Sequence, residues 1–71
     1  MPEIINIQQQ DRIAILTLNR PDALNALTQK LARAITDCLV ELDTATNVDG
    51  IVLTGAGNKA FCAGVDLQEA I

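Results

Sequence analysis

The chain contains no histidine, tryptophan or tyrosine, and Phe61 is its one aromatic residue. Without an imidazole, a cysteine has no ordinary base to activate it, and a metal site loses its most frequent nitrogen ligand. Two cysteines are present, Cys38 and Cys62, at a separation that does not match a metal-binding pair. Cys38 falls on the apolar stripe of an expected helix and reads as an inert thiol. Cys62 sits in a loop but lacks a partner base, and no disulfide between the two is expected. Cationic residues are also few. Arg12, Arg20, Lys30, Arg33 and Lys59 are scattered rather than clustered, which argues against a nucleic-acid-binding face. No run approaches the roughly 18 apolar residues of a membrane span, and Met1-Pro2-Glu3 does not open a signal peptide. A cytoplasmic location is the resulting expectation. The formal charge of −4 implies solubility rather than a particular partner.

Aliphatic residues fill the space these absences leave. Hydrophobic side chains make up 49% of the 71 residues, nearly all of them Ile, Leu, Val and Ala. A chain this short buries only about 60% of its extended surface. Its core alone supplies no more than about 3–5 kcal/mol. Such a composition suits part of a larger packed body.

The order of elements is legible. Residues 3–9 read as a strand ending in a polar turn at Gln8-Gln9-Gln10-Asp11. Residues 12–18 form a second strand, almost continuously apolar, as expected when both faces are covered. The two are close enough to make a hairpin. Pro21 rules out direct continuation of strand or helix and holds Arg20 extended. A helix is expected over 28–44, with Thr28 as N-cap. Leu27, Leu31, Ile35, Cys38, Leu39 and Leu42 make its apolar stripe. Glu41 and Asp43 lie two residues apart and do not face each other, so they read as solvated carboxylates. Residues 51–54 form a short strand, completing a βαβ unit with a parallel pair. Asp66 and Glu69 read as a capping box at the start of a further helix.

Two loop segments carry chemistry. Gly55-Ala56-Gly57-Asn58-Lys59-Ala60 superficially fits a dinucleotide fingerprint, but the following Phe61-Cys62-Ala63-Gly64 is loop-like where that motif needs a helix. Gly64 removes side-chain bulk and frees the following amide to point outward. The Val65 N–H would then lie beside a helix start, where negative charge is favoured. A peptide N–H so placed suits an oxygen that gains charge during reaction. A tight turn without a ligand is the alternative reading of the same residues.

Leu53-Thr54-Gly55, then Phe61 through Leu67, together with Asn19-Arg20-Pro21-Asp22-Ala23-Leu24-Asn25-Ala26-Leu27, resemble the crotonase (enoyl-CoA hydratase/isomerase) family. That family carries N-R-P-x-x-x-N-A-L before a long helix and F-x-A-G-x-D-[LI] after a Gly-rich loop. The resemblance covers the chain from Ile13 and implies an α/β fold, a partial crotonase-like ββα spiral. Its parts are an N-terminal β-hairpin, a βαβ unit and a truncated helix start. It implies that residues 1–71 are an N-terminal fragment of a crotonase-like domain.

By position, the Val65 backbone N–H resembles the first of the family's two oxyanion-hole donors. Ala63 resembles the contact to the CoA adenine. Asp22, Ala23 and Leu24 fall where the loop lies along the CoA nucleotide, and Gly64, Asp66 and Leu67 belong to the same binding block. Lys59 stands where many members place a base near the CoA phosphates, its alternative being a solvated loop lysine. Asp22 and Gln68 occupy positions where well-known hydratases often carry lysine. The second oxyanion donor and the catalytic carboxylates are expected beyond Ile71.

The resemblance therefore implies an acyl-CoA thioester as partner, with coenzyme A entering as part of the substrate and no separate cofactor or metal. Hydration of a 2-enoyl-CoA is the default reaction, double-bond isomerisation the next, in fatty acid metabolism. The 71 residues alone are expected to be inactive, and the parent to be a homotrimer or hexamer. The alternative is a non-catalytic piece acting as a binding or assembly module.

Overall fold

β1 (Ile5–Gln10) and β2 (Ile13–Leu18) form an antiparallel hairpin in the computed structural model, which describes residues 4–64. Gln10 pairs with Ile13, so only Asp11 and Arg12 make the turn. Asp11 takes the left-handed conformation, φ 54°, one that aspartate tolerates better than most residues. The three glutamines expected in the turn thus lie in the strand, opposite Ile15, Ala14 and Ile13. Their side chains are exposed. An outer strand demands backbone pairing, not apolar side chains, which is why the polar run misled.

α1 (Gln29–Asp43) follows, and β3 (Gly50–Gly55) returns parallel to β2, giving sheet order β1-β2-β3. This is the expected βαβ unit. Thr28 caps α1 as the sequence indicates: it is extended, and its Oγ1 accepts a 3.0 Å hydrogen bond from the Leu31 amide. That bond satisfies one of the four amides that an N-terminus leaves without helical partners.

Between β2 and α1, Pro21–Ala23 forms a 3₁₀ turn. The loop expected after Pro21 is therefore a short helical turn, because proline at the first position forgoes only an amide that would be unsatisfied anyway. Leu24 and Asn25 then adopt successive left-handed conformations, φ 53° and 55°.

The core is centred on β2. Ala14, Leu16 and Leu18 are buried on one face, and Leu31 of α1 is buried with them. The opposite face is not closed: Ile13 is exposed and Ile15 and Thr17 are half-buried. The expectation of cover on both faces is thus met on one face among the described residues. Ile51, Val52 and Leu53 on β3 are exposed as well. The helix stripe buries unevenly, since Leu31 is fully covered while Leu39 is 40% exposed and Cys38 is half-buried. Burial, followed by Glu41 and Asp37, pushes the Cys38 thiol above its ordinary range, so it stays protonated and unreactive.

The ends of the strands remote from the loops are tied together by polar contacts. The Arg12 guanidinium donates to both Asp49 carboxylate oxygens, at 2.6 and 3.0 Å, and to the Thr46 carbonyl at 2.8 Å. Gln9 reaches the Asn47 carbonyl at 3.0 Å. These contacts are exposed and fix the register of the βαβ return more than they add stability. At the other ends, β2 and β3 deliver their following loops side by side.

Thr28→Ala removes the cap of α1 and is expected to cost about 1 kcal/mol. Denaturant unfolding of the full polypeptide that carries these residues measures it, and an unchanged midpoint would contradict the capping role.

Candidate functional site

The segments 19–27 and 56–64 leave the carboxyl ends of the parallel strands β2 and β3. That is where open α/β sheets form their binding crevices. The pairing continues past the strands: the Ala56 amide donates to the Leu18 carbonyl at 2.7 Å. The Ala63 amide then donates to the Leu24 carbonyl at 3.0 Å, and the Leu27 amide to the Gly64 carbonyl at 2.7 Å. The second segment is laced onto the first along its length.

One side chain holds the two together. Asn25 is fully buried. Its Oδ1 accepts a 2.8 Å hydrogen bond from the Arg20 amide, and its Nδ2 donates to the carbonyls of Ala56 and Ala60, each at 3.0 Å. Its backbone amide closes the turn by donating to the Arg20 carbonyl at 2.8 Å. Both amide hydrogens and the carboxamide oxygen are used. Among the described residues no buried side-chain nitrogen or oxygen lacks a partner. In a low-dielectric site such a satisfied network is rigid, because each lost bond leaves a buried group bare.

The approach is close enough to require glycine. A Cβ on Gly55 would collide with the Phe61 carbonyl oxygen, and would lie 2.7 Å from Asn25 Nδ2 and 2.9 Å from Phe61 Cα. Gly57 has φ 86°, and a Cβ there would come within 3.2 Å of Pro21. A side chain at Gly55 would push Phe61 and Asn25 away, and one at Gly57 would push its loop away from the 3₁₀ turn.

What this leaves is a cleft of about 340 Å3, walled by Pro21, Asp22 and Leu24 on one side and residues 56–60 on the other. That volume lies within the range of small-molecule sites. Pro21 and Leu24 supply apolar surface to the cleft, and Asp22 and Lys59 contribute one charge of each sign.

Of the residues singled out from sequence, Asp22, Leu24 and Lys59 share this cleft. Ala23 belongs to the 3₁₀ turn behind it. Ala63 and Gly64 lie in the following segment, joined to the first loop through Leu24 and Leu27. Gly64 has φ 95°, as a glycine reserved for a left-handed turn should. Val65, Asp66 and Leu67, with the helix start read at 66–69, lie outside the described residues. The dinucleotide reading finds no support, since residues 56–64 contain no helix. Both cysteines are free thiols. Asn25 was not singled out as a site residue. Its carbonyl partners lie 31 and 35 residues away, and main-chain carbonyls leave no trace in residue type.

Gly55→Ala should destabilise the fold by about 1–3 kcal/mol or more, the usual effect of overpacking. Thermal or urea unfolding of the full polypeptide measures this, and a stability equal to wild type would refute the close approach described here.

The family profile described as enoyl-CoA hydratase/isomerase matches residues 13–71. The short-chain-enoyl-CoA hydratase of Clostridium acetobutylicum is 36% identical over 63 residues, which cover 89% of this chain and 24% of that protein. The mitochondrial 3-hydroxyisobutyryl-CoA hydrolase of Danio rerio is 46% identical over 57 residues, covering 80% of this chain and 15% of that one. The chain thus spans about a quarter or less of the length of these relatives. Among solved structures, an enoyl-CoA hydratase from Mycobacterium tuberculosis H37Rv superimposes with a TM-score of 0.90 at 38% identity, over 97% of this chain and 31% of that one. Sequence and backbone agree over nearly the whole chain, which therefore belongs to the enoyl-CoA hydratase/isomerase, or crotonase, family.

Proposed function

We propose that residues 1–71 form the N-terminal, acyl-CoA-binding part of a crotonase-family enzyme that stabilises a thioester enolate. The observation that carries this reading is the cleft between the two motif-bearing loops. One wall comes from the N-R-P-x-x-x-N-A-L block and the other from the Gly-rich loop that leads into Ala63-Gly64. The two relatives named above share a CoA thioester and differ in reaction. The thioester end is accordingly what this chain is proposed to serve.

In the default reaction, water adds across the double bond of a 2-enoyl-CoA. The hydroxyl goes to C3 and a proton to C2, through an intermediate with negative charge on the thioester oxygen. An N–H fixed at that oxygen lowers the barrier, because it is already oriented when the charge appears. The left-handed Gly64 supports assigning that donor to the Val65 amide. Asp22, Leu24 and Lys59 are proposed to face the CoA nucleotide, with Ala23, Ala63, Asp66 and Leu67 completing the binding block. Isomerisation of the double bond uses the same stabilised oxygen and is the next reading. A cytoplasmic location and a trimeric or hexameric parent belong to the same proposal.

A second reading, a non-catalytic binding or assembly module, draws on one observation. Ile51, Val52 and Leu53 expose apolar surface along β3, and such surface invites pairing.

Val65→Pro deletes the assigned N–H. In the full polypeptide it should lower kcat for enoyl-CoA hydration by on the order of 10²–10³-fold, and wild-type turnover from a folded variant would refute the assignment. Light scattering and circular dichroism of the 71-residue chain, with and without acyl-CoA, separate the two readings. A folded oligomer of defined size whose melting temperature rises with ligand favours the module, and a disordered or aggregated chain indifferent to ligand favours the enzyme part.

A further inference from the structure

We propose that Asn25 is a positioning residue that sets the width of the cleft, so that ligand affinity depends on its carboxamide although the carboxamide itself is buried beneath the cleft. The identity of the ligand, an acyl-CoA, rests on the function proposed above; the positioning role rests on geometry alone.

Three observations carry the inference. The first is where the bonds go. Both Nδ2 hydrogens reach carbonyls of the far wall, at Ala56 and Ala60, which bracket Gly57, Asn58 and Lys59. The carboxamide therefore grips both ends of the wall, while its oxygen is anchored to the Arg20 amide, next to Pro21 of the near wall. Opening the cleft means breaking at least one of these bonds.

The second is the backbone. Asn25 sits at φ 55°, directly after Leu24 at φ 53°. Consecutive left-handed non-glycine residues are costly and persist only when their surroundings hold them. Leu24, which lines the cleft, is held on both backbone groups: its amide donates to Pro21 at 3.1 Å and its carbonyl accepts from Ala63. The side chain of Asn25 thus holds the far wall while the turn at Leu24 shapes the near one.

The third is fit. The space around the carboxamide is filled so closely that Gly55 cannot carry a Cβ. An isosteric side chain is the only substitute that keeps the volume, and the chemistry of that side chain can then be tested apart from its size.

Asn25→Asp and Asn25→Gly provide the test in the full polypeptide. Aspartate keeps the shape and an acceptor for Arg20, but turns an oxygen toward the two carbonyl oxygens. Glycine accepts the left-handed backbone and removes the clamp without repulsion. Coenzyme A is the probe, titrated calorimetrically, with amide hydrogen exchange read in parallel at Ala56, Ala63 and Leu27, whose amides are hydrogen-bonded between the two loops. The expected result is a Kd raised by roughly tenfold or more in both variants, with the isostere at least as impaired as glycine and exchange faster at all three amides.

A residue that only filled space would give the reverse order, with aspartate the milder change, and that order overturns the proposal. Wild-type affinity in either folded variant also overturns it. Should wild type itself fail to bind coenzyme A, the ligand assignment falls, and exchange decides the clamp. Faster exchange in Asn25→Gly upholds it, and unchanged exchange refutes it.

Discussion

The Asn25 carboxamide is the contact on which the arrangement of the loops depends. A buried amide is tolerated only when its hydrogen-bonding capacity is used, and here the partners are main-chain groups from two segments far apart in sequence. Satisfying that one side chain forces residues 19–25 and 56–60 into proximity. Gly55 and Gly57 follow from this requirement, since any side chain at either place would obstruct the approach. The left-handed turn at Leu24 and Asn25 follows as well, because it aims the carboxamide inward. The cleft between Asp22 and Lys59 is what remains when these demands are met.

The sheet beneath explains why this happens at one end of the molecule. β2 and β3 run parallel, so both of their following loops emerge at the same edge, while the Arg12–Asp49 contact secures the opposite edge. A helix start capped by Thr28 begins directly after the first loop. The hydrophobic part is less complete: Ala14, Leu16, Leu18 and Leu31 make a core on one face, and the apolar residues of β3 remain exposed. Rigidity at the loops thus comes mainly from polar clamping and close backbone contact rather than from depth of burial. That division agrees with membership of the crotonase family: its first motif block in this chain spans one clamped loop, and its second begins directly after the other at Phe61.

Much of this was legible in the sequence. The helix announced itself through Thr28 and the repeat of Leu31, Ile35 and Leu42, and β2 and β3 through short β-branched runs. The motifs at 19–27 and 61–67 indicated the family and the loops. Other features were not legible, for definite reasons. Gln8, Gln9 and Gln10 belong to β1 because pairing with β2 outweighs their weak strand preference. Pro21 opens a 3₁₀ turn, since one residue type permits both a loop and a first helical position. The apolar continuity of β2 suggested cover on two faces, but burial depends on which neighbours are present, and sequence pattern does not specify them. Asn25 was hidden because its partners are carbonyls, which every residue possesses.

The proposed acyl-CoA ligand is expected to enter between the two clamped loops. A titration of the full, isotope-labelled polypeptide with coenzyme A, followed by amide chemical shifts, tests it most directly. The largest shifts are expected at Ala23, Leu24, Gly57 and Lys59, with those of β1 nearly unmoved. Saturable binding whose shifts fall elsewhere, leaving residues 21–24 and 56–60 undisturbed, would contradict it.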